Sequence, residues 1–215
     1  VTNSKRASDL IGDRIKELRK LRDLTRDELA ARCAELGAGL SAAMLVNIES
    51  GRPDEEGKRR RDVSVDELLI LAVALDVPPA LLLLPPDQAG EERTWLEITP
   101  KMKTSAWGLA TWLSGESDQM IPKVDEAGVV SAERRRMWRQ AAHPLRLYRI
   151  WMERFEAVAK GENEAALLAL ADVLEVMISM GITPPPTPDD WVAVMREKGW
   201  LKHPDEVPIQ PKWSD

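Results

Sequence analysis

The sequence predicts an all-α protein built as two domains, a five-helix N-terminal domain over residues 1–85 and a second helical domain over 95–200. Three observations carry this. Apolar residues recur at helical spacing through most of the chain, whereas the alternation expected of strands is scarce. Capping residues and glycines bracket the periodic segments. A polar, proline-containing stretch at 86–94 interrupts the series and reads as a linker, and residues 201–215 read as an irregular tail.

The first helix is expected from Asp9 to about Leu21, with Ile11, Ile15, Leu18 and Leu21 on its inner face. Thr25 and Glu28 form a capping box that opens a second helix, whose inner stripe is Leu29, Ala30, Cys33 and Leu36 before Gly37 and Gly39 end it. Ser41 caps a third helix reaching Ser50, with Leu45 and Ile48 inward and Gly51 as its stop. Residues 52–62 are charged and aperiodic, a loop that carries the run Lys58, Arg59, Arg60 and Arg61. Ser64 and Glu67 make a second capping box for a fourth helix, and Pro78 and Pro79 open a short fifth one.

Beyond the linker, residues 95–98 read as a short extended piece and 104–113 as a helix containing Trp107 and Trp112. Two helices are expected over 131–142 and 144–160, divided at Pro144 because proline lacks the amide and crowds the preceding turn. Tyr148, Trp151, Met152, Phe155 and Val158 share one stripe of the second of them. Residues 164–180 are apolar on most faces, as in a buried helix, and a last helix begins at Thr187 with Pro188 at its first position.

Composition excludes several classes. Cys33 is the sole cysteine, which rules out an intramolecular disulfide and a cysteine-rich metal site and fits a reducing compartment. Its place on an inner stripe reads as a small core residue. His143 and His203 lie far apart without partners at ligand spacing, so no metal is expected. No phosphate-binding loop or nucleophile motif is present, so neither catalysis nor a cofactor is expected. The apolar runs fall well short of the roughly 20 residues a membrane span needs, and the polar N-terminus does not read as a signal peptide, which makes a cytoplasmic location the expectation. The net charge of −6 is uneven: residues 1–62 hold 14 Lys/Arg and 12 Asp/Glu, the remainder 16 and 24, so any anionic partner is to be sought in the first part.

The segment LTRDELAARCAELGAGLSAAMLVNIESG, in which Leu-Thr opens the second helix and Ile-Glu-x-Gly ends the third, resembles the helix-turn-helix of lambda-repressor-like (Cro-type) transcriptional regulators. VSVDELLILAVALDVPPALLLLP is similar to that family's fourth and fifth helices, so the resemblance covers about residues 9–85. ARCAELGAGL is about one helical turn longer than the family's connection, which implies an extended second helix. The resemblance implies a regulator, a repressor by expectation, that binds double-stranded DNA with its third helix in the major groove. Carried over by position, Ser41, Ala42, Ala43, Val46 and Asn47 lie on the DNA-facing helix, with Asn47 suited to an adenine edge. Arg26 and Ser50 fall near phosphates, and Lys58, Arg59, Arg60 and Arg61 add electrostatic grip. It further implies a homodimer, for which the C-terminal helices are the expected interface, while an effector is not readable. The two alanines at the first reading positions and the acidic balance support an alternative, a protein-interaction module on a helix-turn-helix scaffold with weak or no base readout, such as an antitoxin.

Overall fold

The computed structural model describes residues 4–55, 59–84, 94–118, 131–161 and 163–209. It is mostly helical with one small sheet, and it divides at Leu113/Ser114 into two compact units.

In the first unit β1 (Ser4–Arg6) leads into α1 (Ala7–Leu21), α2 (Arg26–Glu35), α3 (Ala42–Ser50), α4 (Val65–Ala74) and α5 (Pro79–Leu83). Ile11, Ile15, Leu18, Leu29, Cys33, Leu45, Ile48, Leu71, Leu75 and Leu82 form one buried cluster. Both capping boxes are formed: the Thr25 hydroxyl accepts from the Glu28 amide and the Ser64 hydroxyl from the Glu67 amide, while each glutamate accepts from its cap's backbone N–H. Leu21 (76% exposed) and Leu36 (51%) leave their inner stripes, because each stands where its helix ends and the chain turns away from the core. The added length after α2 is not helical. Gly37 takes the left-handed conformation (φ +80°), the Ala38 amide donates to the Cys33 carbonyl at 2.9 Å, and Leu40 returns to the core.

The sheet departs from the all-α expectation. β2 (Trp95–Thr99) pairs in parallel with β1 and antiparallel with β3 (Met102–Thr104), and the whole helical run α1–α5 forms the crossover between the two parallel strands. Leu10, Leu96 and Leu109 form a small second core that joins β2 and α6 (Ala106–Leu113) to α1. Residues 94–113 therefore belong to the first unit, not to a separate domain beginning at 95. Strands of three to five residues, one of them Ser-Lys-Arg, are too short and too polar for a period of two to register. The expected linker lies outside the described residues apart from Thr94, which is buried.

The second unit packs α7 (Ala132–Lys160), α8 (Glu164–Ser179) and α9 (Asp189–Glu197) around Trp151, Val158, Leu170, Leu174, Met177, Trp191 and Met195. Trp151, Phe155 and Trp191 stack at centroid distances of 4.9 and 5.0 Å. Pro144 does not divide α7, which continues through it. Contacts on both sides of the proline hold the helix to one short segment: a Cβ on Gly115 would lie 3.2 Å from Ala142, and the Arg146 guanidinium donates to the Gly115 and Glu116 carbonyls at 2.7 and 3.2 Å. The aromatic stripe of α7 splits, with Trp151 and Val158 buried and Tyr148 and Met152 exposed. The tail is not wholly irregular. Leu201 and Val207 enter the core, a 3-10 turn spans Pro204–Glu206, and the Thr187 amide donates to the Pro208 carbonyl at 2.8 Å.

Candidate functional site

Helix α3 has two unlike faces. Leu45, Ile48 and Glu49 are buried, whereas Ala43, Val46 (43% exposed) and Ser50 recur at three- and four-residue spacing on the outward side, flanked by half-buried Ala42 and Asn47. Ser41 acts as cap, its hydroxyl accepting from the Met44 amide at 3.3 Å, and is itself exposed. These five outward and flanking side chains and Ser41 are thus brought to one helix by helical geometry alone.

The inward face is locked by charge. The Glu49 carboxylate accepts from Arg19 Nε at 2.7 Å, from Arg19 Nη2 at 3.1 Å and from Arg26 Nε at 2.9 Å, with its side chain only 1% exposed. The hydrogen bond to Glu49 raises the Arg19 pKa, burial opposes that rise, and the carboxylate's charge adds to it. Arg26, expected near phosphate, thus has its guanidinium compensated by Glu49 while its side chain stays 39% exposed. Such an assembly ties α1, α2 and α3 to one another, and removing Glu49 would strand the buried Arg19 charge.

The basic run does not act as one patch. Arg59 is a structural clamp: its side chain is 5% exposed, Nε donates to Asp9 Oδ1 at 2.8 Å, and Nη2 donates to the Ile48 carbonyl at 2.9 Å, satisfying an orphan acceptor near the end of α3. Room for it comes from Gly12, where a Cβ would fall 2.6 Å from Arg59 Nη2 and 2.4 Å from the Ile48 oxygen. Arg61 is paired with Glu67. Burial pushes the Glu67 carboxyl up, but the Ser64 amide, the Arg61 guanidinium and the Ser64 hydroxyl outweigh it and hold the group below the ordinary carboxylate range. Arg60 is exposed, and among the described residues no carboxylate lies within ion-pair distance of it. Lys58 lies outside the described residues.

Sequence reasoning missed Arg52. It follows the left-handed Gly51 cap with a positive φ of its own (42°), is exposed, and likewise has no ion-pair partner among the described residues. The Arg60 amide donates to the Gly51 carbonyl at 3.3 Å, and Pro53 bridges Arg59, so the loop folds back beside the end of α3. A cleft of about 150 Å³ opens there, lined by Asn47, Arg52, Arg60, Arg61, Asp62 and Val63 among others. The signal for Arg52 was the Ile-Glu-Ser-Gly-Arg sequence itself, since a left-handed cap throws the next side chain away from the helix axis.

Among the described residues no group of three His, Cys, Asp or Glu side chains is placed to hold a metal ion, and no helix is long and apolar enough to cross a membrane. Burial raises the Cys33 pKa, which keeps the thiol protonated and unreactive at neutral pH. No protein-family model, no curated protein and no solved structure matches this chain.

Proposed function

We propose that this chain is a cytoplasmic, sequence-specific DNA-binding transcriptional regulator, acting as a repressor, that reads the major groove with α3. The observation that carries the reading is the pairing of an exposed Ala43/Val46/Ser50 face with Asn47 at its flank and with two uncompensated arginines, Arg52 and Arg60, at the same end of the helix. Small side chains let the helix approach base edges and thymine methyls, Asn47 supplies a bidentate partner for adenine, and the arginines supply charge beside the backbone. The Cro-type motif and the five-helix order around it support the same reading. A homodimer would set half-sites about 34 Å apart. Exposed Leu145, Tyr148 and Met152 on α7 support the C-terminal helices as its interface.

A different observation favours a protein-interaction module. Arg26, Arg59 and Arg61 are held by carboxylates of the same chain, which leaves fewer charges for phosphate than the basic run implies, while Val46 offers an apolar contact. Selection of bound duplexes from a random library, at two salt concentrations, separates the two. The regulator reading expects an enriched motif whose adenine preference disappears in Asn47→Ala at a loss of about 1–3 kcal/mol. Absence of any enriched motif would overturn it in favour of the interaction module.

A further inference from the structure

The cleft at the end of α3 has an unbalanced charge. Arg59 and Arg61 are committed to Asp9 and Glu67, and Asp62, the carboxylate in its lining, is paired with Arg6 at 2.8 Å. Arg52 and Arg60 line the same cleft and meet no carboxylate among the described residues. Two guanidiniums that line one cleft without an anion between them repel one another. The committed arginines fix the backbone that carries the free ones: Arg59 anchors the loop to α1 and α3, and the Val63 amide donates to the Ser8 hydroxyl at 3.0 Å. The cleft is therefore a held shape with spare positive charge, and it shares Asn47 with the exposed face of α3.

We propose that this cleft binds a phosphate group, with Arg52 and Arg60 as the charged ligands and Asn47 as a neutral hydrogen-bond donor. Two forked guanidiniums match the charge and planar donor geometry that a phosphate dianion requires. The free volume of about 150 Å³, with Ile48 and Val63 in the lining, admits the first atoms of a phosphate ester as well as the anion. The phosphate has two possible sources, a DNA backbone lying along α3 or a free phosphorylated molecule. The first source rests on the DNA-reading proposal and the second does not.

The test titrates the full chain with inorganic phosphate and follows 31P NMR. Saturable binding is expected, weakened at least tenfold in Arg52→Ala/Arg60→Ala and unchanged in Lys16→Ala/Lys20→Ala, which removes equal charge from the exposed side of α1. Circular dichroism confirms that each variant is folded, and the single variant Arg60→Gln, expected to weaken binding severalfold, serves if the double variant is not. Binding that does not saturate, or that both double variants weaken alike, overturns the proposal. A short duplex then assigns the source. Loss of duplex affinity in Arg52→Ala/Arg60→Ala, with competition between phosphate and duplex, assigns the backbone. Phosphate binding by a chain that binds no duplex assigns a free phosphorylated molecule, and it sinks the DNA reading while leaving the site in place.

Discussion

Two arginine runs of equal length behave oppositely in this molecule. In 59–61 three consecutive guanidiniums go to three different places: Arg59 inward to Asp9 and the Ile48 carbonyl, Arg60 outward, and Arg61 to Glu67. In 134–136 all three stay exposed on the first turns of α7. The difference lies in the backbone. The 59–61 segment is a loop that bends at Arg60 and Arg61, so its three side chains leave the backbone in different directions. Arg59 is buried against Asp9 and the Ile48 carbonyl, Arg61 reaches Glu67, and Arg60 is left exposed. A helix turns each successive side chain by about 100°, and the start of α7 presents all three directions to solvent. A run of like charges is thus a unit of composition and not of function.

The largest effect expected from this contrast is at Arg59. Arg59→Ala removes the partner of Asp9 and the donor to Ile48, and should cost about 3 kcal/mol in urea unfolding. A loss under about 1 kcal/mol would show that the clamp does not hold α3. Gly12→Ala attacks the same clamp from the other side, because the new methyl would meet the Ile48 oxygen and the Arg59 guanidinium. Overpacking of this kind costs about 1–3 kcal/mol. Its effect should fall well below the sum when combined with Arg59→Ala, since the two share one contact.

Most of the helical framework of the first unit was legible because capping boxes, glycine stops and inner stripes agree with one another over residues 25–84. The site was legible only in part. Periodicity placed Ala43, Val46, Asn47 and Ser50 outward on α3, but it carries no information on long-range pairing, so the capture of Arg26 by Glu49 and of Arg59 by Asp9 could not be read. The sheet escaped for a related reason: β1 and β2 are separated by the whole five-helix run, and neither alone is long enough to show its period. In the second unit Pro144 misled, because a local rule about proline was overridden by contacts with Gly115 and Glu116 that lie about 30 residues away.

Arg61 is a middle case. Its partner Glu67 is nearly buried but Arg61 itself is 59% exposed, so Arg61→Ala should cost about 1 kcal/mol or less. The pH dependence is more telling. Glu67 is held below its ordinary value in the folded chain, so its stabilisation is complete above the unfolded carboxylate pKa of about 4.3 and is lost as pH falls through the lower folded value. Arg61→Ala should move the folded value up and narrow that window, which a series of thermal unfolding curves from neutral to acidic pH would detect. An unchanged acid limb would mean that the Ser64 cap alone sets the shift.

The smallest effect on stability is expected at the exposed members of the two runs, and here the comparison becomes sharpest. Arg60→Ala and Arg136→Ala should each change unfolding free energy by no more than about 0.5 kcal/mol, since both side chains are exposed and neither holds an element in place. Duplex binding is expected to separate them. Each phosphate contact contributes about 0.9 to the slope of log affinity against log salt, so Arg60→Ala should flatten that slope by about one unit while Arg136→Ala leaves it unchanged. Equal flattening would mean that non-specific charge drives binding. No flattening in either would leave Arg60 without a phosphate partner, and the position of a guanidinium beside α3 would then count for no more than its position on α7.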